Sequence, residues 1–156
     1  MIIPINEEFR VQVNQHISEE WAGPVVITKG TVHDTSYSEG FISLTNGELT
    51  GYILYEICRN QCEILVLQSI LENQGIGSAL IKAVLNKAKQ AYCETVWLIT
   101  TNDNIHAIRY YQKFGFELAA VHINAIEESR KLKPTIPFFG NEKIPLKHEF
   151  EFQYKL

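Results

Sequence analysis

Apolar residues recur at every fourth position from Ile5 through Phe9 and Val13 to Ile17, the spacing of one helical face. Asn6 is placed to cap such a helix, Glu7 and Glu8 fall where the helix dipole favours negative charge, and Gly23-Pro24 ends it after Trp21. Val25-Val26-Ile27 predicts a short strand, and the polar stretch from Thr28 to Gly40 predicts a turn-rich loop offering His33, Asp34, Tyr37 and Glu39 as contacts. Two apolar runs, residues 41–44 and 49–57, flank Asn46-Gly47, a pair that tolerates positive φ and so predicts a tight antiparallel hairpin. A turn at Arg59-Asn60-Gln61 then returns the chain along residues 62–69, completing a three-strand meander. Ile64, Leu65, Val66 and Leu67 are continuous rather than alternating, as in a strand covered on both faces.

Beyond Gly77 the pattern returns to helical spacing: Ile76, Leu80, Ile81, Val84, Leu85, Ala88 and Tyr92 share one stripe, opposite Lys82, Asn86, Lys87 and Gln90. Residues 94–101, with Val96-Trp97-Leu98-Ile99, predict the next strand. Strand, helix, strand in that order implies a parallel crossover onto residues 62–69. Thr101-Asn102-Asp103-Asn104 offers several caps for a short helix through Phe114, closed by Gly115. A strand is expected over 116–125. Pro134, Pro137, Gly140 and Pro145 predict mostly extended loop over 127–146. Phe150, Phe152, Tyr154 and Leu156 alternate with Glu149, Glu151, Gln153 and Lys155, as in a half-buried final strand, whose exposed edge would allow a homodimer.

Composition narrows the class. The 156 residues, 46% hydrophobic and 21% charged, fit one domain over residues 1–156 with no run able to cross a bilayer. Met1-Ile2-Ile3-Pro4 has no basic leader segment, so the cytoplasm is expected. A net charge of -4 argues against a nucleic-acid partner. Three cysteines do not make a disulfide framework. Cys58 and Cys62 would face each other across their turn, but they lack a second pair at zinc-ligand spacing, so no metal is expected.

The chemistry centres on residues 62–80, where a buried strand runs through Glu72-Asn73-Gln74-Gly75-Ile76-Gly77-Ser78 into a helix, a way to aim several backbone N–H groups at a phosphate. The third glycine of a dinucleotide fingerprint is missing, and so is the Lys-Ser or Lys-Thr of a P-loop. One crossover later comes Asn104-Ile105-His106-Ala107-Ile108-Arg109-Tyr110-Tyr111-Gln112-Lys113-Phe114-Gly115-Phe116. The two stretches together resemble the GNAT (Gcn5-related N-acetyltransferase) superfamily, whose pyrophosphate turn is Gln/Arg-x-x-Gly-x-Gly/Ala and whose next helix carries Asn, Ala, Tyr and then Gly-Phe. Glu72 stands where the family has Gln or Arg, so the turn would act through backbone groups rather than that side chain. Residues 129–137, Ser-Arg-Lys-Leu-Lys-Pro-x-Ile-Pro, are similar to a bacterial subgroup.

The resemblance implies an α/β fold: a mixed central sheet of about six to seven strands with a splayed pair of parallel strands, flanked by helices. It implies acetyl-CoA as acyl donor, its pyrophosphate on Asn73, Gln74, Gly75, Ile76, Gly77 and Ser78, and its pantetheine arm along Leu67, Ser69 and Ile70. Asn104 would contact that arm or simply cap its helix. Tyr111 would protonate the departing thiolate, with core packing as its other role and Tyr110 as the register alternative. Glu63, where some members carry a general base, could deprotonate the amine, as could a chain of waters. No motif sets a histidine beside Ser69 or Cys62, so a covalent route is not expected. Trp21, Tyr37, Phe138 and Phe139 would line the acceptor pocket, and Glu39, Glu128 and Glu149 could meet a cationic amine, whether small molecule or peptide. The expected activity is N-acetyl transfer to a primary amine. The alternatives are a CoA-binding regulatory or structural protein of the same fold without turnover, and an interaction domain that binds no CoA.

Overall fold

The computed structural model describes residues 1–156. In chain order the elements are β1 (Ile2–Pro4), α1 (Glu7–Trp21), β2 (Val25–Thr28), β3 (Thr31–Asp34), β4 (Glu39–Thr45), β5 (Glu48–Cys58), β6 (Gln61–Ser69), α2 (Ile76–Gln90), β7 (Thr95–Thr101), α3 (Ile105–Phe114), β8 (Glu117–His122), α4 (Ala125–Leu132) and β9 (Glu149–Lys155). The chain forms two compact units: Met1–Val25 with Asp34–Val96 and Lys155–Leu156, and Val26–His33 with Trp97–Tyr154.

The first unit is an antiparallel sheet in the order β1-β4-β5-β6. Its predicted hairpin turns on Asn46 and Gly47 at φ 54 and 79. β1 was not expected, because three residues ending in proline are too short to show a period; Ile2 pairs with Ser43 and Ile3 with Ile42. The register of β5 against β6 jumps where Leu54 faces Val66 and Tyr55 faces Ile64, which leaves Leu65 as an extra, bulged residue. Cys58 faces Gln61 and Cys62 faces Ile57, so the two cysteines do not oppose each other as expected: the turn is one residue shorter than read. Helix α1, capped by Asn6 accepting the Phe9 N–H at 3.0 Å, buries Phe9, Val13 and Ile17, and its His16 meets Tyr52 of β5. Helix α2 buries the expected stripe on the other face of β5, where Ile76 and Leu80 close over Gly51. Burying each such aliphatic side chain contributes about 1.5–3 kcal/mol.

The second unit orders its strands β7-β9-β8, with the hairpin β2-β3 as a separate pair. β3 and a short 3₁₀ turn occupy the stretch expected to be irregular loop. Another correction is α4, which forms inside the segment expected to be extended. Asn124 starts it in the left-handed conformation, Glu127 and Glu128 sit in its first turn, and Arg130 and Lys131 in its last. The prolines that suggested a loop all lie beyond its end. β8 is correspondingly shorter than read. β9 lies between β7 and β8, so it is not the exposed edge strand expected and offers no free edge to a second copy.

Candidate active site

The turn after β6 carries the geometry the sequence implied. Asn73 and Gly75 both have positive φ, 59 and 72, and such changes of backbone handedness make successive N–H groups converge. Gly75 caps α2 without any side-chain hydrogen bond. The α2 ladder starts with the Ala79 N–H donating to the Gly75 carbonyl at 3.1 Å, so the amides of Ile76 and Gly77 stand ahead of it at the positive end of the helix dipole. Residues 71–75 are exposed. The turn is therefore an open backbone surface at the positive end of a helix, of the kind that takes phosphate.

Along β6 the hydrogen-bonding parity sorts the expected arm contacts. The Ile70 N–H donates to the Thr50 carbonyl at 2.9 Å, which makes Ser69 opposite Gly51 a non-hydrogen-bonded pair. Alternation then turns the backbone groups of Leu67 and Ser69 away from β5. Ile70 differs from expectation in that its N–H is already used. The Ser69 hydroxyl is occupied too, donating to the Leu71 carbonyl at 2.6 Å, and the Ser69 carbonyl accepts the Gln68 side-chain amide at 3.5 Å.

Glu63 is 7% exposed. A strictly alternating strand would set it on the same face as Leu67 and Ser69. The bulge at Leu65 reverses this: Glu63 pairs with Glu56, which shares the face of Tyr52 and hence of α1, whereas Leu67 and Ser69 pair with Ile53 and Gly51 on the face of α2. Cys62, on the α2 face, is buried, and its thiol is pushed up to about 12, first by burial and then by Cys93. Such a thiol is a poor nucleophile.

In the second unit the run Asn102-Asp103-Asn104 divides three tasks. Asn104 caps α3, accepting the Ala107 N–H at 3.2 Å. Asn102 accepts the N–H groups of Lys147 and His148, each at 2.9 Å. Buried Asp103 accepts the Asn141 N–H at 2.9 Å and its side-chain amide at 3.0 Å. A Cβ on Gly140 would lie 2.0 Å from an Asp103 oxygen, so only glycine fits there. From α4, Arg130 donates to the carbonyls of Ile136, Pro137 and Leu146 and lies 4.3 Å from the Phe138 ring. The proline-bearing segment is thus held by these side chains together with a short antiparallel bridge, in which the Leu146 N–H donates to the Phe138 carbonyl and the Gly140 N–H to the Ile144 carbonyl, each at 2.9 Å.

Tyr111 is buried on α3, its ring 5.6 Å from Phe116 and 6.3 Å from Phe152. Burial, with Tyr110 beside it, pushes its phenol well above the ordinary value, so it stays protonated and can serve as an acid. Tyr110 is half-buried and stacks on exposed His106 at 6.4 Å. Of the residues expected around the acceptor, Trp21, Tyr37, Phe138 and Phe139 are exposed, as are Glu39 and Glu128, the latter paired with Lys131 at 2.9 Å. Glu149 is only 1% exposed, contrary to the usual place of a strand glutamate. Gly51 was not singled out, although a glycine inside a strand is itself a signal of close approach: a Cβ there would sit 2.7 Å from the Ile76 Cγ2, beside the first turn of α2.

Comparison with known proteins supplies the family. The Acetyltransferase (GNAT) family profile matches residues 6–116, and the chain belongs to that family. It is 40% identical over 153 residues, 97% of this chain and 96% of the other, to the protein YdhI of Bacillus subtilis strain 168. It is 25% identical over 116 residues, 65% of this chain and 76% of the other, to spermine/spermidine N(1)-acetyltransferase of the same organism. A GNAT family acetyltransferase from Elizabethkingia anophelis, solved with acetyl-CoA bound, shares the fold with a TM-score of 0.72 at 18% identity, covering 100% of this chain and 97% of that one. A Bacillus subtilis acetyltransferase in complex with CoA does so at 0.69 and 19%, covering 99% and 97%. The fold is the mixed α/β one that the resemblance implies. No helix is long and apolar enough to cross a membrane.

Proposed function

We propose that residues 1–156 act as one acetyl-CoA-dependent N-acetyltransferase that acetylates a primary amine by direct attack. The observation that carries this reading is the α2 turn: left-handed Gly75 and a helix start with no side-chain cap, following a strand whose Leu67 and Ser69 backbone groups turn away from β5. In this reading the amides of residues 74–78 hold the pyrophosphate and β6 holds the pantetheine arm. The amine nitrogen attacks the thioester carbon, the carbon–sulfur bond breaks, and Tyr111 passes its phenolic proton to the leaving thiolate. The amine's proton goes to Glu63, directly or through water, and solvent reprotonates Tyr111. Burial keeps Tyr111 protonated, as a proton donor must be before it acts, and the Leu65 bulge supports Glu63, since bulges often re-aim a side chain beside a site. The likeness to spermine/spermidine N(1)-acetyltransferase supports an amine as acceptor.

Release of free thiol from acetyl-CoA, followed across a panel of amines, tests the proposal; amine-dependent release is expected. Tight CoA binding by calorimetry with no release for any amine would instead favour a binding protein without turnover. That second reading draws on the enclosure of Tyr111 among aromatic rings. Absence of CoA binding would remove both.

A further inference from the structure

β9 presents two chemistries. Phe152 and Tyr154 meet the rings of Tyr111, Phe114 and Phe116 on one face, and alternation puts Glu149 and Glu151 on the other. There the tip of the β2–β3 hairpin, Lys29 and Gly30 at φ 50 and 76, delivers a cation. The Lys29 Nζ lies 3.0 Å from a Glu151 oxygen and 4.5 Å from the centre of the Trp97 ring. Its backbone N–H reaches both Glu149 oxygens, at 3.3 and 3.4 Å. His122 Nε2 stands 3.0 Å from the same Glu151 oxygen. The Lys29 ammonium thus goes to Glu151, while Glu149, nearly without solvent, is met by a backbone N–H instead of a full positive charge. An aromatic face with a carboxylate beside it is a seat for an ammonium, and this one already holds one. With the Lys29 and Glu151 side chains 40% and 18% exposed, the occupant can be exchanged from solvent.

We propose that Glu149, Glu151 and Trp97 seat a second, non-reacting ammonium of the acceptor, which takes the place of the Lys29 ammonium, so that the acceptor is a diamine or polyamine. The group held there is not the nucleophile. An attacking amine must be neutral, and carboxylates and a ring face favour the protonated form. The inference rests on the acetyltransferase reading for its kinetics but not for binding.

The test compares diaminoalkanes of graded length with monoamines of the same length, as the ratio of their kcat/KM values. The native protein should prefer the diamine by about tenfold or more, the worth of one partly desolvated cation contact. Glu151→Gln should bring the ratio toward one, and Lys29→Met, which removes the internal competitor, should raise it. A native ratio near one, or a ratio unchanged by Glu151→Gln, overturns the seat. If no amine is turned over, the transferase reading fails, and calorimetry of a diaminoalkane with the native chain decides the seat alone. Binding that Glu151→Gln weakens about tenfold supports it, and no binding by the native chain overturns it.

Discussion

At the scale of single residues, Tyr111 and Glu149 show how burial assigns chemistry. Tyr111→Phe keeps the ring that packs on Phe116 and Phe152 and removes only the phenolic proton. Turnover should fall on the order of a hundredfold, while CoA affinity measured by calorimetry changes by no more than about twofold; unchanged turnover would take Tyr111 out of the acid role. For Glu149, burial raises the carboxyl above its ordinary 4.5, outweighing the Lys29 N–H and the nearby charges of His122 and Lys29. The folded state then binds more protons than the unfolded one, so stability falls as pH climbs from that ordinary value through the folded one. Glu149→Gln should lessen that fall, making the variant more stable relative to the native protein at neutral pH than at about pH 4. Urea midpoints at the two pH values check it. In the run Asn102-Asp103-Asn104 the composition announced caps, and Asn104 is one. The other two tie down segments around 140 and 147, partners that no local rule could name.

At the scale of elements, Gly51 couples the β5 surface to the start of α2. Gly51→Ala puts a methyl against Ile76 and Leu80 and should cost about 1–3 kcal/mol, read as a lower denaturation midpoint, with weaker CoA binding because the helix start is pushed outward. Ile76→Ala in the same chain removes the Cγ2 in the way and should recover part of the CoA affinity. Most elements followed from their own residues: α1 from its four-residue repeat and cap, α2 from its stripe, the hairpin from Asn46-Gly47. The misreadings also have local causes. α4 is eight residues long, two turns beside a cluster of prolines, and β1 is held by its partner β4 rather than by any pattern of its own.

At the scale of the whole molecule, ligand linkage gives a test that needs no acceptor. Acetyl-CoA at about a hundred times its Kd should stabilise the native state by about 2.7 kcal/mol, which for a chain of this size raises Tm by roughly 5–10 °C. A Tm that does not move with acetyl-CoA concentration would contradict the cofactor assignment. Gly75→Ala should diminish the shift, because alanine strains the left-handed backbone that aims the turn, by about 1 kcal/mol.

The sequence by itself, through its resemblance, determined the family, and its own residues determined the glycine turn that opens α2 and the Asn104 cap. Those features are carried by residues close together in the chain, whose spacing dictates handedness, capping and periodicity. Tertiary structure alone decided that the Leu65 bulge turns Glu63 onto the face of α1, that Gly51 underlies the start of α2, and that Glu149 is buried with a hairpin lysine above it. Each of these depends on strand register and on side chains meeting across long stretches of sequence, and a one-residue slip in pairing exchanges the faces of a strand without altering its local pattern.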